Sequence, residues 1–394
     1  MSAESEKPDL LIAGASARAC AFSVLRVGLR PSCFDQFADA DLQEAASVER
    51  VERYPHDLPQ MMARFEGVPW MYTGALENYP DVVAEISQRH SLFGNPPEVL
   101  HRVRDPFQTA QWLADAGFAT VPLRPADDPP PADGTWLLKP LCGGAGIGIR
   151  VWDETALQTF TPGMKRKTSY FQKFLRGESY SALFAGDGTS ARLLGITRQL
   201  VGRPEFRAAR FAYCGSIGPV RWNGEQWDYL QRLGQVLAEQ GGLVGLFGCD
   251  LIVTENVNAN AREIVLIEVN PRYPASAEVL ELATGCSTLV PHFRGCAAEL
   301  FPLPSYDERQ STADNHPCVG KAILYAANDF VVKTSITAFD PIYRTLIADV
   351  PRTGESIQAG HPLCTAFVRG ASLAQCEQFL CRRAPIIYES VFGQ

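Results

Sequence analysis

This sequence predicts a mixed α/β chain of two to three domains, and three stretches carry that prediction. It opens with a β-turn-α-β order over Asp9 to Asp35. Its middle alternates glycine-rich hairpins with amphipathic helices, and its tail is a series of short strands broken by Gly/Pro turns. A length of 394 residues exceeds what one simple core organises, and 46% apolar with 20% charged residues describes a globular chain. The expected divisions are 1–100, 101–305 and 306–394.

Asp9–Ala13 is an apolar strand, Gly14–Arg18 turns into a helix with Ala21, Phe22, Val24 and Leu25, and Arg30–Phe34 is a second strand ending at Asp35. The order resembles a Rossmann unit, but no second or third glycine follows Gly14, which argues against a nicotinamide site and an oxidoreductase. Val68–Tyr72 reads as a strand and Gly74–Asn78 as the turn at its carboxyl end, the side on which such sheets place ligands. Glu77 and Asn78 there read either as ligand-facing groups or as a helix cap.

Pro106–Gly117 is a short helix stopped by glycine, and Pro122–Asp133 is an acidic, proline-rich exposed connection. Trp136–Pro140 is a strand carrying Lys139. Gly143, Gly144, Gly146 and Gly148 follow in one loop, then the strand Ile149–Trp152. Such a turn is either an ordinary hairpin or a flap whose backbone N–H groups approach phosphates beside a lysine point charge. It is not a P-loop, which needs Gly-Lys-Ser/Thr opening a helix. Tyr170–Leu175 is an apolar run with polar interruptions at Gln172 and Lys173. With Phe174 and Leu175 it can line an adenine pocket, and Glu178 can take ribose hydroxyls.

Gln226–Gln240 is amphipathic, with Trp227, Leu230, Leu233 and Leu237 on one face. Val244–Val253 and Ile264–Val269 are strands joined by the polar segment Thr254–Glu263, so they pair as a hairpin. Glu268 and Asn270 are two apart and share a face; Asp250 on the partner strand joins them. Two carboxylates and an amide oxygen are a hard donor set suited to Mg²⁺. Arg272 follows as a fixed cation that can fork onto a phosphate. Ala275–Ala283 and Leu289–Leu300 read as helices, and Val319–Ala326, Ile342–Ile347 and Thr365–Arg369 as strands of a β-rich tail.

The ordered set Lys139, the Gly143–Gly148 loop, Gln172–Leu175, Glu178, Asp250, Glu268, Asn270 and Arg272 resembles the ATP-grasp superfamily over roughly residues 100–300. Within it the chain is similar to predicted ATP-dependent carboligases related to biotin carboxylase, and to amino-acid ligases of C1-carrier coenzyme assembly such as tyramine–glutamate ligase. The resemblance implies an ATP-grasp fold with a Rossmann-like pre-ATP-grasp domain and a small β-rich C-terminal subdomain. It implies ATP and Mg²⁺ (two ions) as cofactors, and an acyl-phosphate route to a carboxylate–amine bond with release of ADP and phosphate. The alternatives are a biotin-carboxylase-like carboligase and a non-catalytic ATP-binding homologue; the intact Glu268, Asn270 and Arg272 argue against the latter. Relatives carry an early lysine in an Asp-Lys motif, where this chain has His101–Pro106, so Arg102 or Arg104 takes that place. Arg272 and Lys139 are then the catalytic candidates. Arg198 and Arg294 are candidate acceptor-carboxylate cations, Tyr213 borders the acceptor pocket, and Glu281 matches a helix carboxylate that orients substrate or only balances surface charge.

The net charge of −8 with no basic block excludes nucleic acid as a main partner, so the expected partners are small carboxylates and amines. No apolar run reaches membrane-spanning length and the N-terminus is polar, which points to the cytoplasm. Eleven cysteines without a Cys-x-x-Cys pair read as reduced thiols; Cys142 is the one beside the proposed site.

Overall fold

The computed structural model describes residues 7–159, 168–256, 261–296, 316–333, 339–340 and 345–393. The chain begins with a parallel sheet of β1 (Leu10–Gly14), β2 (Pro31–Asp35), β3 (Ser47–Arg50) and β4 (Trp70–Tyr72), in the order β3-β2-β1-β4. Continuous apolar strands such as Leu10–Ala13 belong in a sheet covered on both faces, and these residues are fully buried. Helix α1 (Arg18–Arg26) connects β1 to β2. Asp35, at the end of β2, accepts from the backbone N–H of Ala17, Phe37 and Ala38 at 2.5–2.7 Å. Its carboxylate fastens the β1–α1 turn, which leaves the acid of the Rossmann-like pattern without a free oxygen for a ribose. Four short helices, α2 (Ala40–Ala45), α3 (Leu58–Met62), α4 (Pro80–Ser87) and α5 (Pro97–Val103), complete this part.

Helix α6 (Pro106–Asp115) leads to a small antiparallel sheet, ordered β5-β8-β6-β7. Its strands are β5 (Leu123–Pro125), β6 (Asp133–Pro140), β7 (Arg150–Asp153) and β8 (Ser169–Lys173), and α7 (Glu154–Thr159) follows β7. Part of the expected Pro122–Asp133 connection is therefore edge strand β5, paired with β8, and the indole N–H of Trp152 donates to the Pro130 carbonyl at 2.8 Å. Composition marked that segment as loop; tertiary pairing overrides it.

The centre is a sheet of nine strands among the described residues: β13-β12-β9-β10-β11-β14-β19-β17-β16. These are β9 (Glu178–Asp187), β10 (Ala191–Val201), β11 (Tyr213–Gly218), β12 (Val244–Asn256), β13 (Ala261–Asn270), β14 (Cys318–Tyr325), β16 (Phe339–Asp340), β17 (Thr345–Ala348) and β19 (Pro362–Gly370). A separate ribbon pairs β15 (Phe330–Val331) with β18 (Ser356–Ile357). The tail strands continue the central sheet because β14 pairs with β11. Of the strand expected over Ile342–Ile347, residues 345–347 fall in β17 and 342–344 lie outside the described residues. The helix expected over Leu289–Leu300 is described as α10 (Leu289–Gly295); residues 297–300 lie outside.

Alternation along β9 sorts the two faces. Tyr180, Ala182 and Phe184 meet Leu230, Leu233 and Leu237 of α8 (Gly224–Gly241), a helix opened by an Asn223–Gln226 capping box. Leu183 and Ala185 meet Leu10 and Ile12 of the first sheet and Cys20 of α1, together with Ala277 and Leu280 of α9 (Ala275–Thr284). Helix α11 (Leu373–Phe392) covers the tail strands with Cys376, Leu380 and Ala384.

A buried charge cluster ties the three parts together. Arg18 grips both oxygens of Glu278 at 2.7 and 2.9 Å and donates to Asp349 at 2.6 Å, while Lys321 donates to Glu278 at 2.9 Å. Burial opposes ionisation of Glu278, but Arg18 and Lys321 hold its carboxyl well below the usual range. Removing one partner of a buried network strands the others. Glu278→Gln is expected to lower the urea-unfolding free energy by about 3–5 kcal/mol; a loss below about 1 kcal/mol would show that the cluster does not hold the domains.

Candidate active site

Strands β12 and β13 pair antiparallel with Asp250 opposite Glu268 and Gly248 opposite Asn270. Residues directly opposite in such a pair point to one face, so Asp250, Glu268 and Asn270 share a surface. Asn270 donates to Asp250 Oδ2 at 3.1 Å, and Gln199 from β10 donates to Asp250 Oδ1 at 2.8 Å. Burial, then the Glu268 charge, pushes the Asp250 carboxyl up to about 6, against the pull of Arg272. Two like charges held together are a site short of cation.

Arg272 leaves β13 at once and turns back. It donates to Asn270 Oδ1 at 3.1 Å and to Glu77 Oε1 at 3.0 Å. Burial works against its charge, but Glu77, Asp250 and Glu268 together raise its affinity for the proton. The first sheet delivers Glu77: Thr73 bridges to Tyr273 in parallel, and Tyr72 and Asn95 donate to the Pro271 carbonyl. That docking sets the Leu76–Asn78 turn against Arg272.

Facing this surface is a cleft whose lining includes Arg104, Lys139, Gly143, Tyr170, Gln172 and Glu268. Lys139, buried in β6, donates to Gln172 Oε1 at 3.1 Å. Arg104 caps α5 and donates to Glu268 at 2.9 Å, to Asn78 at 2.7 Å and to the Gly143 carbonyl at 2.9 Å. One guanidinium thus joins the first domain, the glycine loop and the carboxylate strand. Arg104, rather than Arg102, lines the cleft.

The glycine loop lies along the cleft and touches the large sheet. Ala145 accepts from the Tyr213 backbone N–H at 3.1 Å, and a Cβ built on Gly146 would stand 1.8 Å from the Phe211 carbonyl oxygen. With φ of +79°, Gly146 has two reasons to be glycine.

The remaining expected site residues are placed as follows. Lys173 donates to Thr135 Oγ1 and lies over Trp136. The Phe174 ring meets Phe211 edge-on, and its backbone N–H donates to Thr135. Leu175 continues that connection into β9, where exposed Glu178 accepts from the Tyr180 hydroxyl at 2.8 Å. Tyr213 meets the loop with its backbone, while its hydroxyl pairs with Ser216.

Two expectations are corrected. Arg198 pairs with Glu377 of α11. Alternation along β10 sends it to the opposite face from Gln199, which reaches Asp250, so Arg198 does not face the cleft. Glu281 is buried and saturated by Ser23, Arg26 and both donors of Thr288, which makes it a brace between α1 and α9. Gln199, Asn78 and Glu77 are the partners that join the set. The residue beside Arg198 was the signal for Gln199, since neighbouring strand residues face opposite sides.

The set offers a divalent ion the carboxylates of Asp250 and Glu268, while the Asn270 amide oxygen accepts from Arg272 and would have to turn to join them. Among the described residues no group of three His, Cys, Asp or Glu side chains forms a metal cage. No helix among them is long and apolar enough to cross a membrane.

Residues 103–276 match the family described as ATP-grasp domain. A comparison with curated protein sequences finds no match. Among solved structures, the chain is similar to the biotin carboxylase domain of 2-oxoglutarate carboxylase from Hydrogenobacter thermophilus, solved with MgADP, ADP and bicarbonate. That likeness has a TM-score of 0.71 at 15% identity and covers 93% of this chain and 87% of that one. An L-amino acid ligase from Bacillus licheniformis gives 0.65 at 16%, covering 97% and 98%. N5-carboxyaminoimidazole ribonucleotide synthetase from Thermus thermophilus gives 0.65 at 15%, covering 95% and 98%.

Two outcomes follow from this geometry. Because the Asp250 pKa is raised on folding, its stabilising contribution is full below about pH 4 and is lost as pH rises through about 6. Metal-free protein should therefore gain on the order of 1 kcal/mol between about pH 7 and 5 relative to Asp250→Asn. Added Mg²⁺ should erase the difference; equal melting profiles of the two proteins would contradict it. Gly146→Ala should prevent the loop from seating and raise the KM for ATP about tenfold or more, read from ADP formation, and an unchanged KM would make the contact incidental.

Proposed function

We propose that this chain, which carries an ATP-grasp domain, is an ATP-dependent carboxylate–amine ligase acting on small molecules in the cytoplasm. The observation that carries the reading is that Asp250, Asn270 and Arg272 gather around Glu268, which lines a cleft walled by Lys139 and the glycine loop. A free carboxylate does not acylate an amine, because its leaving group is poor. Transfer of the γ-phosphoryl group makes an acyl phosphate, whose phosphate the amine then displaces. The protein's part is positioning and charge neutralisation.

Asp250, Glu268 and Asn270 would hold Mg²⁺, which would supply neutralisation of the phosphate charge. Lys139, Arg104 and the N–H groups around Gly143, Gly144 and Gly146 hold the phosphate chain. Gln172, Lys173, Phe174 and Leu175 line the adenine side, and Glu178 takes the ribose. Arg272, held from behind by Glu77, faces the charge that develops on the transferred group. The similarity to an L-amino acid ligase along nearly the full length of both chains supports the amine acceptor. The narrower reading is an amino-acid ligase in C1-carrier coenzyme assembly. The second reading is a carboligase that activates bicarbonate, favoured by the likeness to the biotin carboxylase domain.

The test is Mg²⁺-dependent ADP formation across pairs of carboxylates and amines, with bicarbonate as a separate arm. ADP release that needs both a carboxylate and an amine supports the ligase; release driven by bicarbonate alone selects the carboligase. Glu268→Gln keeps the shape and removes one anion, so turnover should fall about a hundredfold or more while nucleotide affinity changes less. Wild-type turnover in Glu268→Gln would refute the mechanism. Arg272→Ala should spare ATP binding and slow phosphoryl transfer, measured by single-turnover ADP formation.

A further inference from the structure

Glu77 is almost wholly buried, yet only half of it is used. Its Oε1 receives Arg272 Nε at 3.0 Å, and its Oε2, also buried, has no hydrogen-bond partner. A buried carboxylate oxygen left unpaired costs about 1–3 kcal/mol or more, so a native site that keeps one implies a donor from outside the chain. The arginine and amide donors beside it are already engaged. Arg272 spends its other nitrogens on Asn270 and the Tyr273 carbonyl, and the Asn78 amide donates to Ala75.

A second atom points the same way. The Tyr54 hydroxyl is buried and approaches the Ala75 backbone without the geometry of a hydrogen bond. Burial, and next the Glu77 charge, push its pKa up. The Tyr54 ring meets Tyr79 edge-on at 6.4 Å, and His56 meets the same ring at 6.2 Å. Tyr79 caps the Leu76–Asn78 turn that carries Glu77 and is 38% exposed, so this aromatic group runs from that turn to the surface.

We propose that Glu77 Oε2 and the Tyr54 hydroxyl form the subsite for the ammonium group of the amine acceptor, with Tyr54, His56 and Tyr79 as an aromatic rim along its substituent. This rests on the ligase reading and deepens it. One carboxylate would then face both halves of the reaction, with Oε1 on the arginine of the phosphoryl side and Oε2 on the amine. A second carboxylate is repelled by Glu77, whereas a primary ammonium gains a charge-assisted hydrogen bond and the attraction of aromatic faces.

The test separates binding from turnover. Phenethylammonium, ethylammonium and glycine methyl ester are titrated calorimetrically into the nucleotide-free full chain. At least one should bind wild type; Glu77→Gln should weaken it about tenfold or more, Glu77→Asp should retain much of the affinity, and Tyr54→Phe should weaken it about threefold. In parallel, hydroxylamine traps any acyl phosphate made from ATP and a panel of carboxylates as the hydroxamate. No binding by all three probes, or equal binding by Glu77→Gln, overturns the subsite. Probe binding that depends on Glu77, with no hydroxamate from any carboxylate, upholds the subsite and refutes the ligase reading alone.

Discussion

The guanidinium of Arg272 is the constraint around which the site is arranged. It is buried, so its charge must be met by protein groups, and those come from separate parts of the chain: Asn270 on the carboxylate strand and Glu77 on the first domain. The Thr73–Tyr273 bridge and the hydrogen bonds onto Pro271 fix the approach of the two parts. Without that docking, Arg272 would be a buried cation with half its partners missing, a state that costs several kcal/mol. The relative position of the two domains and the aim of the arginine are therefore one problem with one solution.

Around this point the polar groups divide into those that act and those that hold. Asp250 and Glu268 stay crowded beside Asn270, with Arg104 meeting one Glu268 oxygen and Arg272 close by. Glu278 and Glu281, a few residues onward in α9, look alike in sequence but are saturated by Arg18, Lys321, Ser23, Arg26 and Thr288. The difference is not in residue type but in how many donors surround each oxygen.

The same difference decides which groups could be read from the sequence. The hairpin of β12 and β13 was legible because strand alternation is a rigid rule, and Glu268 with Asn270 needs only a spacing of two. The Lys139 strand, the glycine loop and the amphipathic face of α8 were legible for similar local reasons. Arg198 and Glu281 were misread as substrate residues because their partners, Glu377 and Ser23, lie 179 and 258 residues away. Edge strand β5 was hidden in a proline-rich stretch because its stability comes from pairing with β8, not from its own residues. Glu77 stayed ambiguous for the same reason: nothing near it in sequence announces Arg272.

The buried cluster around Arg18 carries a consequence for biogenesis. Arg18 meets Asp349, 331 residues downstream, and Asp41 accepts from the Val350 backbone. The first domain emerges from the ribosome early, yet the partners of its charged underside arrive late, Glu278 first and Asp349 only when nearly the whole polypeptide has been translated. During that interval Arg18 faces water instead of its partners, and the β11 edge of the central sheet stays open until β14 arrives. Such long-range closure is slow and leaves an open strand exposed. The hairpin of β12 and β13 is thus complete before the far half of its own sheet has been made.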